Sequence, residues 1–496
     1  MPRMSYLISN PCFFQTGRGK SCSKIISSET DCASYILSLT NNSNELKTEK
    51  CSKNELVFDR STVLTSVTED YGLVCDELFL QSIFNSLYLG GMFVGSFMIG
   101  MISDKFGRLK AMIFSIFLVS SSGILAVFVN NKVLFAFLRL TCGMGGMGCI
   151  LVTAVIAAEE TLPGYKIFTT LITAMAFPVG ELILALEAYF IRNWITLHLV
   201  AYSPMLVLLG LYFVVPESTR WLLAKGRIEE AKKNIQKRAI INKKAPVPID
   251  ILEGKLERYM ETQTDSKPSF FDLFKTQTIL ERSLNMFLQW SCVTMVYYGL
   301  LFTSTSLSGD PYVNFTLVIL AEFPGIFLYL KLPHIIGRRN TLGISQAVSA
   351  ICCIAGGLLT QMPSLSILQI SLVMIGRLFA AVNFKLVFLY TAELFPTQIR
   401  STAVGTCSSI ARVGGIIAIL MQNLKEIWPP MTMVIFGTLT GIAAILAFKL
   451  PETRNNKLPE SIEEALELGQ SVRRNKLGLI LNNIEFCNKN TKSLDT

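Results

Sequence analysis

The sequence predicts an all-α, multi-pass membrane protein made of two related helical bundles. Three observations carry this reading. Of 496 residues, 51% are hydrophobic and only 16% are charged, where a soluble domain averages about 25% charged. The apolar residues gather into eleven runs near the roughly 20 residues that a bilayer-spanning helix needs. Three short motifs recur in the same order at a nearly constant offset, the mark of an internal repeat.

Residues 1–77 are polar and hold no run long enough to span. Five cysteines are concentrated there, which predicts disulfides in an oxidising space; Cys12, Cys22, Cys32 and Cys51 are the candidates, with Cys75 close to the first span. Asn41-Asn42-Ser43 makes Asn41 a glycosylation acceptor if this segment lies outside the cell. No apolar stretch follows Met1, so a signal peptide is not expected.

Five spans follow, over 79–102, 111–129, 133–157, 167–190 and 194–215, and form an N-terminal bundle within 78–215. Residues 216–282 are a linker with 14 Lys and Arg against 10 Asp and Glu, in which Ile228 to Arg238 reads as a short amphipathic helix and 245–268 as loop. Six more spans, over 283–302, 313–332, 341–360, 366–390, 401–421 and 431–450, make a C-terminal bundle within 283–450. A polar tail, 451–496, closes the chain.

Loop charge orients the bundles. Lys105, Arg108, Lys110, the linker, Arg338, Arg339 and Arg400 fall on one side; Lys132, Arg192 and Lys425 are what the other side carries. Positive loops stay cytoplasmic. Residues 1–77 are therefore expected outside and the tail inside, with the plasma membrane the expected location. The net charge of +9 reads as cytoplasmic loops, since no basic block with interleaved aromatics points to nucleic acid.

The repeat is specific. Gly107-Arg108 recurs as Gly337-Arg338, 230 residues on. Glu160-Thr-Leu-Pro163 recurs as Glu393-Leu-Phe-Pro396, 233 on, and Pro216-Glu217-Ser218 as Pro451-Glu452-Thr453, 235 on. Duplicated bundles are how many secondary transporters build a central site with alternating access. The halves are unequal, however. The counterpart of span 283–302 falls near 49–68, which is polar, so the first half is expected to lack its opening helix.

These residues resemble the organic cation, organic anion and carnitine transporters of the major facilitator superfamily, from about Phe58 to Glu464. The hinge Gly100-Met-Ile-Ser-Asp104-Lys-Phe-Gly107-Arg108 resembles that superfamily's loop between its second and third helices. Pro216-Glu-Ser-Thr-Arg220-Trp221 resembles the segment after its sixth helix, although Thr219 stands where Pro is usual. Tyr297-Tyr298-Gly299-Leu300 and Tyr390-Thr-Ala-Glu393-Leu-Phe-Pro396-Thr-Gln-Ile-Arg400 are the most specific matches. The resemblance implies a major facilitator fold and transport of small organic ions.

It also implies roles. Gly100, Asp104, Gly107 and Arg108, with Arg139 and Glu160, and in the second half Gly337, Arg338, Glu393 and Arg400, fall on gate motifs. Gly100 and Gly107 would let helices approach closely. Arg412 and Lys385 map to the substrate site, with Glu322, Trp290, Tyr297, Ile150 and Thr153 beside them. A charge inside a span is expensive, so each is a functional candidate. Two basic side chains in a low-dielectric cavity favour an anion or a zwitterion. Glu181 and Glu187, six residues apart and so about 240° around a helix, cannot share one stripe; at least one is expected to face another helix, or to pair with Lys385 or Arg412. Glu322 does not decide the polarity.

Three other readings stay open at this stage. An organic cation carrier is the alternative within the same group. A sugar porter shares the Pro-Glu-Ser feature, but Leu288-Gln-Trp-Ser-Cys292 lacks paired glutamines and the cavity is charged. A non-transporting, receptor-like or regulatory protein is motivated by the absent helix. No nucleophile–base pair supports an enzyme, His198 and His334 are isolated, and no cofactor, ATP site or metal cluster is expected. The sequence leaves the oligomeric state open. If residues 1–77 are extracellular, glycosidase treatment of intact cells will shift the protein's electrophoretic band, and Asn41→Gln will abolish that shift; an unchanged wild-type band contradicts the assignment.

Overall fold

The computed structural model describes residues 23–25, 48–50, 60, 63–73, 77–161, 165–244, 270–396 and 399–454, with a few further positions up to 465. Asn41 and the candidate cysteines Cys12, Cys22, Cys32 and Cys51 lie outside the described residues, as does the predicted loop 245–268.

Helices dominate. In the first half they are α1 (Leu78–Phe106), α2 (Arg108–Leu125), α3 (Lys132–Glu160), α4 (Lys166–Phe190) and α5 (Trp194–Val207), the last extended through a 3-10 turn to Val214. The linker carries α6 (Thr219–Ala224) and α7 (Ile228–Ile241). The second half holds α8 (Gln277–Ser304), α9 (Pro311–Leu320), α10 (Glu322–Ile335), α11 (Arg338–Leu358), α12 (Ser366–Leu394), α13 (Arg400–Leu420) and α14 (Met431–Ala447). Among the described residues ten helices, counting α9 and α10 as one crossing, are long and apolar enough to cross a membrane; α14, over the eleventh expected span, is a shorter apolar helix of 17 residues. Among the described residues the extended elements are a three-residue antiparallel pair, β1 (Ser23–Ile25) with β2 (Thr48–Lys50), and a single bridge between Thr65 and Asn193.

Local chemistry sets the boundaries. Asn131 and Asn193 accept the first free N–H groups of α3 and α5, and Asp310 does so for α9, where Pro311 occupies the first helical turn. The crossing expected over 313–332 breaks at Ala321 into α9 and α10. Helix α8 starts six residues before the apolar run that predicts it: Gln277, Thr278 and Glu281 of this overhang are exposed, while Ile279 and Arg282 turn inward, and Arg282, 7% exposed, donates to the Ala465 carbonyl at 2.5 Å. Hydropathy cannot register a helix end that is largely polar and partly exposed.

The two halves repeat their packing. Helix α2 packs on α3 and α5, as α11 packs on α12 and α14; α1 packs on α3, as α10 packs on α12. In the second half α8 sits at the centre, against α12, α13 and α14. Among the described residues nothing occupies the matching place in the first half, and α4 and α5 are exposed there, at 11% and 0% buried over their most apolar windows against 67% for α8.

Segment 63–73 is bound to the first half at the end away from the hinges. Tyr71 and Leu73 pack with Phe84, Phe135 and Trp194. The Trp194 indole N–H donates to Asp70 at 2.6 Å, and the Tyr71 hydroxyl donates to the Val129 carbonyl. Burial, with the Asp70 charge adding to it, pushes the Tyr71 phenol above its ordinary value, so it stays a donor.

Helices α1 and α3 cross with their backbones in contact. A Cβ on Gly143 would overlap the Tyr88 carbonyl oxygen, one on Gly91 the Leu140 carbonyl, and one on Gly95 would come within 2.6 Å of the Met144 oxygen. Small residues are what permit such a crossing. Overpacking costs about 1–3 kcal/mol or more, so Gly143→Val is expected to lower the melting temperature of the detergent-solubilised protein. Gly90→Ala, where a Cβ meets nothing within 4 Å, is the matched control and should leave it unchanged.

Candidate functional site

Two carboxylate cages stand at the hinge end, one in each half. The turn into α2 needs Gly107, whose φ is 113°, and a Cβ there would also overlap the Glu217 carboxylate. Glu217 accepts the N–H groups of Arg108 and Leu109 at 2.8 and 3.1 Å, capping the positive end of α2. The Arg108 side chain pairs with Asp104 at 2.6 Å and Glu159 at 3.1 Å, and Ser218 donates to Glu159. The second half reproduces this. Gly337 has φ 92° against Glu452, which accepts from the N–H groups of Arg338 and Arg339 at 2.8 and 3.2 Å. Arg338 pairs with Glu393 at 3.0 Å, and the Thr453 hydroxyl donates to Glu393 at 2.6 Å.

The cages shift the sequence repeat by one residue. The motif alignment puts Glu160 opposite Glu393, whereas in the structure Glu159 holds the arginine as Glu393 does. Glu160 turns to the linker, pairing with Arg238 of α7 and accepting from the Thr219 N–H at 3.3 Å. Gly100 also differs from expectation: a Cβ there would meet only Leu151, at 3.9 Å, so no close approach requires it. Each cage joins elements of a single half. Arg400 donates to the Pro459 carbonyl at 3.4 Å, on the tail. Arg139 lies at the other end of α3, over the rings of Tyr88 and Phe135 and 3.4 Å from the Asn85 oxygen.

The centre of the molecule holds a charge cluster that crosses between the halves. Arg377 of α12 is fully buried and pairs with fully buried Glu322, at the break between α9 and α10. Its guanidinium lies 3.6 Å from the centroid of the Tyr297 ring, and the Tyr297 hydroxyl donates to Glu322 at 3.0 Å. Glu181 of α4, in the first half, approaches Arg377 at 3.5 Å. Lys385 is half-buried on the same helix as Arg377 and feels the charges of Glu322, Arg377 and Glu181. Two cations and two carboxylates thus balance.

Arg412 stands apart from that balance. It is 5% exposed on α13, and its Nη2 donates to the Met147 sulfur of α3 at 3.2 Å, while its Nε has no acceptor. Among the described residues no carboxylate pairs with it. On the hinge side, Ser409 and Ser96 are hydrogen-bonded across the halves at 3.0 Å. On the other side, Leu89, Met92, Met147 and Ile419 form an apolar seal with Tyr298 and Phe302, beyond which Ser82 donates to Asn423 at 3.0 Å.

The remaining expected site residues divide. Trp290 and Tyr297 are both 1% exposed: Trp290 donates to Thr391 at 2.9 Å and packs edge-on to Phe388, and Tyr297 stacks on Phe384. Ile150 and Thr153 are exposed on α3. Sequence reasoning missed Glu159, Arg377 and Met147. For Arg377 the signal was present, as an arginine inside an apolar span. Glu217 and Glu452 were visible only as repeat markers, not as helix caps.

Removing the Glu159 charge leaves Arg108, 14% exposed, without its interior partner, a loss of about 1–3 kcal/mol once solvent screening is allowed for. Glu159→Gln should therefore lower the melting temperature in detergent by more than Glu160→Gln, which loosens only the linker. Equal losses would contradict the one-residue shift.

Comparison with known proteins agrees with this architecture. The model of the family described as "Sugar (and other) transporter" matches residues 33–465. The "Organic cation transporter protein" of Drosophila melanogaster is 35% identical over 441 residues, covering 87% of this chain and 79% of that protein. "Solute carrier family 22 member 6-B" of Xenopus laevis is 30% identical over 430 residues, covering 86% and 77%. "Solute carrier family 22 member 2" of Rattus norvegicus is 31% identical over 451 residues, covering 90% and 80%. Among solved structures, the proton:xylose symporter XylE bound to 6-bromo-6-deoxy-D-glucose superposes with a TM-score of 0.61 at 18% identity, covering 80% of this chain and 91% of XylE, which supports the fold. The chain belongs to the sugar (and other) transporter family of the major facilitator superfamily, in the solute carrier 22 group of organic cation and anion transporters.

Proposed function

We propose that this transporter carries small organic anions or zwitterions by alternating access, with Arg412 receiving the anionic group. The observation that carries the reading is the unmatched charge of Arg412. Around Arg377 the formal charges of cations and carboxylates offset one another, and Lys385 lies within reach of their charges. Arg412 is almost as deeply buried and, among the described residues, has only a thioether to donate to. A buried, unpaired cation costs several kcal/mol, and an anionic guest relieves that cost. Phe177, exposed on α4, and half-buried Phe384, both packed against Tyr297, offer flat apolar surface for the organic part of such a guest.

The movement would be a rocking of the two bundles about the central contacts, with the 216–282 linker as tether and the cages keeping the hinge end of each bundle rigid. Loop charge supports a plasma-membrane orientation with residues 1–77 outside and the tail in the cytoplasm. A second reading, an organic cation carrier, draws on Glu181, whose Oε2 lacks a hydrogen bond, and on the Drosophila relative's name. The two readings separate at one residue. Arg412→Asp should reduce uptake of a labelled aromatic carboxylate by about tenfold or more, the worth of a charge-assisted hydrogen bond, with surface expression intact. Unchanged uptake of that anion overturns the assignment.

A further inference from the structure

The partner that Arg412 does have belongs to the opposite half. Met147 is 4% exposed on α3, within the apolar seal, while Arg412 is on α13. A thioether sulfur is a weak acceptor, and it leaves the guanidinium with Nε unmatched. The contact is therefore poor compensation for a buried cation, yet it is the hydrogen bond Arg412 makes across the interface. Methionine is suited to a provisional contact of this kind. It is unbranched, has three rotatable bonds, and can swing aside without moving its helix. Its neighbours favour such a swing: Leu89, Met92 and Ile419 are apolar side chains that would receive a displaced thioether without leaving a polar group unpaired.

We infer that Met147 is a place-holder ligand: it occupies the Arg412 guanidinium in the unloaded carrier and is displaced by the carboxylate of the arriving substrate. The inference rests on the anion reading above and adds a residue that sets affinity without contributing charge. Because the sulfur comes from one half and the guanidinium from the other, substrate entry exchanges a weak contact between the halves for a strong contact between substrate and α13. Met147 thereby opposes binding at low substrate concentration and helps hold the empty halves together beneath the seal.

The test is saturable uptake of labelled benzoate by cells expressing the full chain, with labelled tetraethylammonium as the cation control and surface protein measured for each variant. Met147→Leu keeps the volume and removes the acceptor, so the half-saturating benzoate concentration should fall about threefold, the worth of one weak hydrogen bond. Met147→Glu supplies a permanent carboxylate to Arg412, so benzoate uptake should be lost while the melting temperature in detergent rises. An unchanged half-saturating concentration in Met147→Leu, with benzoate uptake still abolished by Arg412→Ala, overturns the place-holder and leaves the anion reading standing. Uptake of tetraethylammonium but not benzoate by the wild type overturns both.

Discussion

A guanidinium withdrawn from water within a bundle must find a carboxylate or carry a cost of several kcal/mol, and the layout of this protein follows from how four arginines, two half-buried and two deeply buried, meet that demand; buried Arg282, at a helix end, is held by the Ala465 carbonyl instead. Arg108 and Arg338 meet it with Glu159 and Glu393 at the hinge end. Arg377 meets it with Glu322, and with Glu181 from the other half. Arg412 does not meet it. The three carboxylate-paired arginines are structural fixed points, two bracing the separate bundles and one joining them. The fourth is the place where the structure holds charge in reserve.

The cages show why duplication does not produce identical halves. Both use a positive-φ glycine, a carboxylate capping the following helix, and a second carboxylate on the arginine side chain. The first half adds Asp104 to the arginine and Glu160 to the linker through Arg238. The second half has His334 in place of Asp104 in its hinge, and its arginines reach the tail, Arg282 to Ala465 and Arg400 to Pro459. The two ends of the duplicated plan are thus tied to different polar segments, and a change in either segment would act on one bundle.

Much of this was legible in the residues. Apolar run length placed the crossing helices, and the Gly-Arg, Glu-x-x-Pro and Pro-Glu repeats marked the hinge end of both halves. What the sequence hid had physical causes. Tandem Glu159-Glu160 makes the repeat ambiguous by one residue, and only helix rotation decides which carboxylate faces Arg108; the motif spacing favoured the wrong one of the pair for that contact. Helix α8 extends past its apolar run through a largely polar, partly exposed turn anchored by Ile279 and by Arg282 on the Ala465 carbonyl, which no hydropathy window can register. Arg377 was overlooked although an arginine in the middle of an apolar span is itself a signal. Met147 could not have been found, since a methionine in a glycine-rich apolar stretch reads as packing until its sulfur is seen on a guanidinium.

The central claim is that an unpaired Arg412 makes the site select for negative charge, and a pair of isosteres tests it most directly. Benzoate and benzamide share size and shape and differ in charge. In cells expressing the full chain, uptake of a labelled aromatic carboxylate should be inhibited saturably by benzoate and left unaffected by equal concentrations of benzamide or tetraethylammonium. Inhibition by tetraethylammonium equal to or stronger than that by benzoate would contradict the account.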